Sequence, residues 1–193
     1  MKQVGITDIV IGINERDYEL GQRFGERHNV VVKVSTTRGT AGCLKDCLSE
    51  DCNRGIVLFG DTIYTSPIPY CDAIFNTAPE GTAIIGVKRT ADLAHFMAVV
   101  PHNGGYITRI KPHTFREGFA YIGTLGFYDS TIGERINHLR PSKRGELEIT
   151  ELIGVYAQEN ALMITQYTGE FVDCNTLESV DKAVTLLNAR KEQ

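Results

Sequence analysis

Three short apolar runs, "TDIVIGI" (7–13), "NVVVKVST" (29–36) and "GIVLFGD" (55–61), punctuate the first third of the chain, with helix-length stretches between them. Each is rich in Ile and Val and too short for a buried helix, so each reads as a strand. Between them, "ERDYELGQRFGER" (15–27) has helical spacing at Tyr18, Leu20 and Phe24, weakened by Gly21 and Gly25. "GTAGCLKDCLSE" (39–50) sets Cys43, Leu44, Cys47 and Leu48 at i, i+1, i+4 and i+5, again a helix. Near-continuous apolar strands alternating with helices predict an α/β fold with a mainly parallel, doubly wound sheet covered on both faces. Right-handed crossovers bring the strand carboxyl ends to one side, where such sheets bind ligands.

The middle of the chain is less regular and makes the sheet mixed. "TAIIGVKRT" (82–90), "AHFMAVV" (94–100) and "YITRIK" (106–111) read as strands, the last two joined by a turn at "PHNGG" (101–105). "FAYIGTLGFYD" (119–129) is another strand region, and "LMITQYTGEFVD" (162–173) gives two short strands turning at Thr168-Gly169. "STIGERINHL" (130–139) and "EITELIGVYAQEN" (148–160) are helical. A final helix is marked by a capping pattern at Asn175 and Glu178 and by Leu177, Val180, Ala183, Val184 and Leu187 on one face. No linker, repeat or low-complexity stretch interrupts the 193 residues, which predicts a single domain over 1–193.

Charge and cysteine content narrow the function classes. The formal net charge is −4, with no basic run, which argues against nucleic-acid and membrane-surface partners but leaves room for phosphate ligands. Five cysteines with no CxxC pair argue against a disulfide or zinc framework and predict reduced thiols. Cys43 and Cys47 share a helix face, where packing is the simplest role. No apolar stretch is long enough to span a membrane and no signal-peptide pattern opens the chain, so a soluble, cytoplasmic protein is expected.

Two of the strand readings end on a carboxylate, Asp61 in "IVLFGD" and Asp173 in "GEFVD". Two carboxylates converging at strand ends suit Mg²⁺, a hard cation that takes oxygen ligands and keeps phosphates and waters in its shell. Aspartate also ends strands simply as a turn residue. The turn "TTRGTAG" (36–42) opens a helix, and its backbone amides suit an anionic or base-pairing ligand, although Gly and Thr also start helices that bind nothing. Lys111 in "RIKP" suits a phosphate or is an exposed turn lysine. Glu146 in "RGELEIT" fits the first turn of a helix. His95, His102 and His113 lie in or beside the hairpin without a nucleophile or metal partner.

In this order the stretches resemble the sugar-phosphate nucleotidylyltransferases, along nearly the whole chain. "GITDIVIGI" resembles that family's second strand, "RGTAGCL" its GTA turn and helix, and "GIVLFGD" the strand ending in its metal-binding aspartate. "IKP" is similar to its Glu-Lys-Pro segment, "RGELEITELI" to its Gly-Glu segment, and "FVDCNTLESV" to its Asp-x-Gly-Thr-Pro-Glu-Ser segment. The resemblance implies a Rossmann-like sheet of the nucleotide-diphospho-sugar transferase type. It implies transfer of a nucleoside monophosphate from an NTP to a sugar 1-phosphate, with Mg²⁺ as cofactor and pyrophosphate leaving. By the same resemblance Asp61 and Asp173 bind Mg²⁺, and Lys111 contacts the sugar phosphate. Gly39 and Thr40 border the base, Glu146 meets a sugar hydroxyl, and Gly123 faces the sugar, with Gly126 as the competing choice.

The departures are specific. The family's Gly-rich loop, with its catalytic Arg and Lys, and the central first strand before it have no counterpart in these residues. The base-reading Gln falls on Val34, the Glu before Lys-Pro on Ile110, and the Gly and Pro of the last segment on Asn175 and Leu177. A sheet lacking its usual first strand is expected to expose backbone at an edge, a basis for a homo-oligomer. Three readings follow: an active enzyme domain, an inactive relative that binds nucleotide sugars, or a doubly wound domain with coincidental motifs.

Overall fold

A computed structural model describes residues 6, 8–66, 76–90, 93–94, 96–102, 104–109 and 118–191. Lys111, Cys71, His95 and His113 lie outside the described residues. Two compact units emerge, each assembled from two stretches of chain: residues 1–53 with 129–155, and 54–128 with 156–193.

The first unit begins with the predicted strand–helix–strand–helix. Strand β1 (Val10–Ile13) is followed by helix α1 (Tyr18–His28), strand β2 (Val31–Val34) and helix α2 (Thr40–Cys47). β1 and β2 pair in parallel, with Gly12 opposite Lys33. Among the described residues β1 has no other strand partner. Asn29, in the left-handed conformation with φ 52°, ends α1. Two further helices complete the unit, α3 (Ile132–Asn137) and α4 (Ile149–Gln158), the latter's last residues belonging to the second unit. Ala41, Leu44, Ile132, Ile136, Ile149, Leu152 and Ile153 are buried. Asp129, 2% exposed, accepts from the Thr131 N–H and hydroxyl at 2.7 Å each and from Arg135 Nε at 2.6 Å, which anchors the start of α3.

The second unit is built on a six-stranded sheet. It contains β3 (Arg54–Leu58), β5 (Thr82–Thr90), β6 (Ala98–His102), β7 (Gly105–Arg109), β8 (Gly118–Tyr128) and β9 (Leu162–Gln166). Strands β3, β5, β6 and β9 point one way and β7 and β8 the other, so the sheet is mixed with one dominant direction. β8 is buried from Ala120 to Phe127 because it pairs with β5 along one edge and with β3 and then β6 along the other. A separate two-stranded ladder joins β4 (Thr62–Tyr64) to β10 (Phe171–Asp173), and helix α5 (Leu177–Lys191) follows.

Three sequence readings shift in register. The hairpin turn is tighter than 101–105, because Pro101 pairs with Tyr106 and His102 with Gly105. Proline is accommodated there because β6 pairs with β8 only at Ala98 and Val99. The cap of α5 lies one residue on from the expected pattern. The Ser179 N–H donates to Thr176 Oγ1 at 3.1 Å while the Thr176 N–H donates to Ser179 Oγ at 3.0 Å, a reciprocal box. The apolar face of that helix is also largely in solvent, with Ala183 buried but Leu177 86% exposed. Finally, β3 ends at Leu58, and Gly60-Asp61 forms a turn into β4, which the sequence reading did not separate.

Candidate functional site

Asp61 and Asp173 are brought together inside the second unit. The β4–β10 ladder sets Asp173 opposite Thr62, the residue after Asp61. One residue further, the Cys174 N–H donates to the Asp61 carbonyl at 2.7 Å. Both aspartates are exposed, as ligands to a cation must be. Neither lies at the end of a long sheet strand: the turn 59–61 and the three-residue β10 deliver them.

Tyr64 stands between this pair and the main sheet. Its hydroxyl donates to the Ile122 carbonyl at 2.7 Å, and its ring meets Tyr167 edge to face at 5.9 Å. Its phenol is pushed well above its ordinary value, first by burial and then, against a hydrogen bond from Thr62, by Tyr167, Asp173 and Asp61. Both carboxylates therefore act on a single hydroxyl.

Gly123 adjoins the same group. It has φ +80° and lies in the stretch of β8 between its β3 and β6 partners, where the β5 register also shifts around Gly86. A Cβ there would come within 3.2 Å of Phe59, 3.3 Å of the Tyr64 hydroxyl and 3.6 Å of Thr62 Oγ1. Gly126, by contrast, is held in register between Ile56 and Ile84. Of the two glycines, Gly123 is the one that adjoins Phe59, Thr62 and Tyr64.

Gly39, Thr40 and Glu146 form a second group, in the first unit. Gly39 has φ +93°, and a Cβ on it would overlap the Leu147 carbonyl oxygen, so glycine is required where segment 146–149 crosses the turn. That segment docks through the backbone: the Leu147 N–H donates to the Arg38 carbonyl at 3.0 Å and the Ala41 N–H to the Leu147 carbonyl at 2.9 Å. Thr40 Oγ1 accepts from the Ile149 N–H at 2.9 Å and so starts α4. One amide of the turn that was expected to face a ligand is thus used internally. Glu146 precedes the helix by three residues, and its carboxylate faces Arg144 at 3.1 Å and Arg38 at 3.5 Å.

Asp46 is the residue the sequence reading missed. From the last turn of α2 its carboxylate accepts the Thr36 and Thr37 N–H groups at 2.8 Å each, and the Ser35 and Thr37 hydroxyls at 3.0 Å each. Burial works to raise its pKa, but these bonds prevail and hold it below its ordinary value. No local pattern marks an aspartate that closes a turn nine to eleven residues earlier.

A surface concavity of about 610 Å³ lies elsewhere in the first unit, lined by Glu15, Arg16, Tyr18, Glu19 and Val34, and none of the candidate residues lines it. Among the described residues, no helix is long and apolar enough to cross a membrane.

Comparison with known proteins identifies the family. The nucleotidyl transferase family model matches residues 1–187. A bifunctional sugar-1-phosphate nucleotidylyltransferase/acetyltransferase of Sulfurisphaera tokodaii is 23% identical over 90% of this chain and 42% of its own length. A glucose-1-phosphate thymidylyltransferase of an Actinoplanes species is 37% identical over 84 residues, 42% of this chain and 27% of the relative. The chain thus spans about two-fifths, or less, of the length of these relatives. A Bacillus anthracis protein provisionally assigned as a glucose-1-phosphate thymidylyltransferase, solved with sucrose, superposes with TM-score 0.79 at 28% identity, covering 96% of this chain and 78% of the other. A UDP-glucose pyrophosphorylase solved with UDP-glucose shares the fold, with TM-score 0.68 at 17% identity, over 96% of this chain and 81% of that one. The chain belongs to the nucleotidyl transferase family.

Proposed function

We propose that this chain takes part in transfer of a nucleoside monophosphate from an NTP to a sugar 1-phosphate, forming a nucleotide sugar and releasing pyrophosphate. The observation that supports it most is the pairing of Asp61 with Asp173 through the β4–β10 ladder in a chain of this family. The donor set suits Mg²⁺: two exposed carboxylates carried on neighbouring main-chain positions, with no group of three or more His, Cys, Asp or Glu among the described residues. That ion would be held by Asp61 and Asp173 and, when bound, would offset charge on the reacting phosphates.

The chain's own residues then bind and orient. Gly123 leaves its backbone open beside the aspartates, where a bulkier residue would press on Tyr64 and Thr62. Tyr64 stays a neutral phenol at physiological pH, so it adds no charge to an anionic ligand. Glu146 offers a carboxylate to a sugar hydroxyl, and Gly39 and Thr40 border the base. Lys111 neutralises the sugar phosphate, a role resting on its place in "RIKP".

A second reading, nucleotide-sugar binding without turnover, draws on Glu146, whose carboxylate is already engaged by Arg38 and Arg144. One experiment separates the two. The chain is incubated with Mg²⁺, glucose 1-phosphate and each common NTP or dTTP while pyrophosphate is measured, and titrated with nucleotide sugars by calorimetry. Pyrophosphate release supports transfer. Binding without release supports the second reading, and neither signal with any pair overturns both.

A further inference from the structure

Cys43 and Cys47 are close enough to be chemically one group. They lie four residues apart on α2, with their sulfurs over the backbone of β1 at Gly12. A Cβ on Gly12 would overlap Cys43 Sγ and lie 2.8 Å from Cys47 Sγ, so the missing side chain creates the space that both thiols occupy. Both sulfurs thus lie within 2.8 Å of one point, the position of that missing Cβ. Both are part-exposed, hence reachable by small reagents.

Among the described residues, Lys33 and Asp46 are the charged groups that act on the pair. Lys33 on β2 donates from Nζ to the Cys47 carbonyl at 3.1 Å and to the Leu48 carbonyl at 3.3 Å, which places its charge at the end of α2 beside the thiols. Asp46 on α2 opposes thiolate formation, but its carboxylate is spent on Ser35, Thr36 and Thr37. Ser35, the residue after β2, also favours the Cys43 thiolate.

We propose that Cys43 and Cys47 form a redox-active dithiol that closes reversibly to an intrahelical disulfide by exchange with low-molecular-weight disulfides. The Cys43 thiolate attacks one sulfur of the reagent, forming a mixed disulfide and releasing one thiolate. Cys47 then loses its proton to solvent and attacks the Cys43 sulfur, and the second reagent thiolate departs. Two electrons pass from the dithiol to the reagent, which leaves as two thiols. Ideal helix geometry puts residues i and i+4 about 6 Å apart at Cα, inside the upper end of the disulfide range. Closure therefore tightens the last turn of α2, which ends at Cys47 and can give way there. Such a strained bond is readily reduced, as a reversible modification requires.

Supporting evidence comes from acidity. The Cys43 thiol is lowered to about 7, chiefly by the Cys47 hydrogen bond acting against burial, with Ser35 helping and Asp46 opposing. The Cys47 thiol is raised, by the same bond and by burial. Cys43 is thus the attacking thiolate and Cys47 the resolving thiol.

The test equilibrates the protein with oxidised glutathione. In a chain carrying Cys52→Ser, Cys71→Ser and Cys174→Ser, intact mass should fall by about 2 Da and recover with dithiothreitol. Lys45 lies between the two cysteines, so trypsin turns the bond in the unaltered protein into linked peptides 39–45 and 46–54, whose fragmentation distinguishes Cys47 from Cys52 and keeps the test open should that variant not fold. Cys47→Ser should stop at a glutathione adduct on Cys43. Cys47→Ala should slow Cys43 alkylation at pH 7 several-fold and move its pH midpoint upward. A glutathione adduct without ring closure in the unaltered protein, linkage to another cysteine, or alkylation unaffected by Cys47→Ala would overturn the proposal.

Discussion

The N–H of Cys174 donates to the carbonyl of Asp61, and that bond carries the β4–β10 ladder one step past its last pair, Asp173 with Thr62. The two acids are more than a hundred residues apart in sequence, yet the distance between them is set by main-chain geometry rather than by side-chain packing.

Asp61→Asn and Asp173→Asn should each lower pyrophosphate release on the order of 100-fold or more, because each removes a charged oxygen ligand. Both side chains are exposed, so thermal stability should change little. Steady-state rates across a Mg²⁺ titration, with melting curves alongside, check both halves. Unchanged rates would remove these residues from the site.

Gly123→Ala should destabilise the chain by about 1–2 kcal/mol, since alanine resists positive φ and its methyl meets Phe59 and Tyr64. Urea denaturation measures it. A stability equal to the parent would mean that β8 relaxes freely there.

Asp46→Ala should cost about 1–2 kcal/mol at pH 7, having orphaned two amides and two hydroxyls of the turn. The sign with pH follows from a folded-state pKa below the ordinary value. The stabilisation is fully present above the unfolded-state pKa, near 4, and is lost as pH falls through the lower folded value. The parent should therefore lose stability below about pH 4 more steeply than the variant. Parallel slopes in acid denaturation would count against this role.

Asp129→Ala should destabilise by about 2–4 kcal/mol, because it removes the acceptor that holds Thr131 at the start of α3 and takes away the buried carboxylate that Arg135 pairs with. Asp129→Asn keeps the acceptor toward Thr131 and should lose less. Guanidinium titration of the two variants gives the ranking.

Much of the fold was legible because it rests on local periodicity. Strands at 10–13, 31–34 and 82–90, and helices at 40–47 and 149–158, lie within the stretches where apolar spacing put them. What spacing could not reveal was pairing. β3 looks like a neighbour for β1 or β2 in a parallel sheet, yet it pairs antiparallel with β8, whose residues come seventy positions later. The three-residue β4 was hidden for the same reason: only its ladder with β10 makes it a strand. The apolar stripe of α5 was visible, but its burial was not, since stripe and exposure are independent until something covers the helix.

The candidate site divides along the same line. Residue types and their order were enough to nominate Asp61, Asp173 and the turn at Gly39 and Thr40, because carboxylates after apolar runs and glycines before helices carry their chemistry in the local sequence, whereas Glu146 was nominated only by the family resemblance. Choosing Gly123 over Gly126 required the backbone. One has φ +80° beside Tyr64, the other lies in a regular ladder, and no string of letters separates them. Asp46 and the thiol pair over Gly12 also needed the folded chain, since their partners are set by packing across elements. The sequence alone determined most of the elements and the chemical groups, through short-range backbone preference and hydrophobic spacing. The tertiary structure decided which groups meet, because long-range pairing depends on hydrogen bonds and burial that exist only once the strands are side by side.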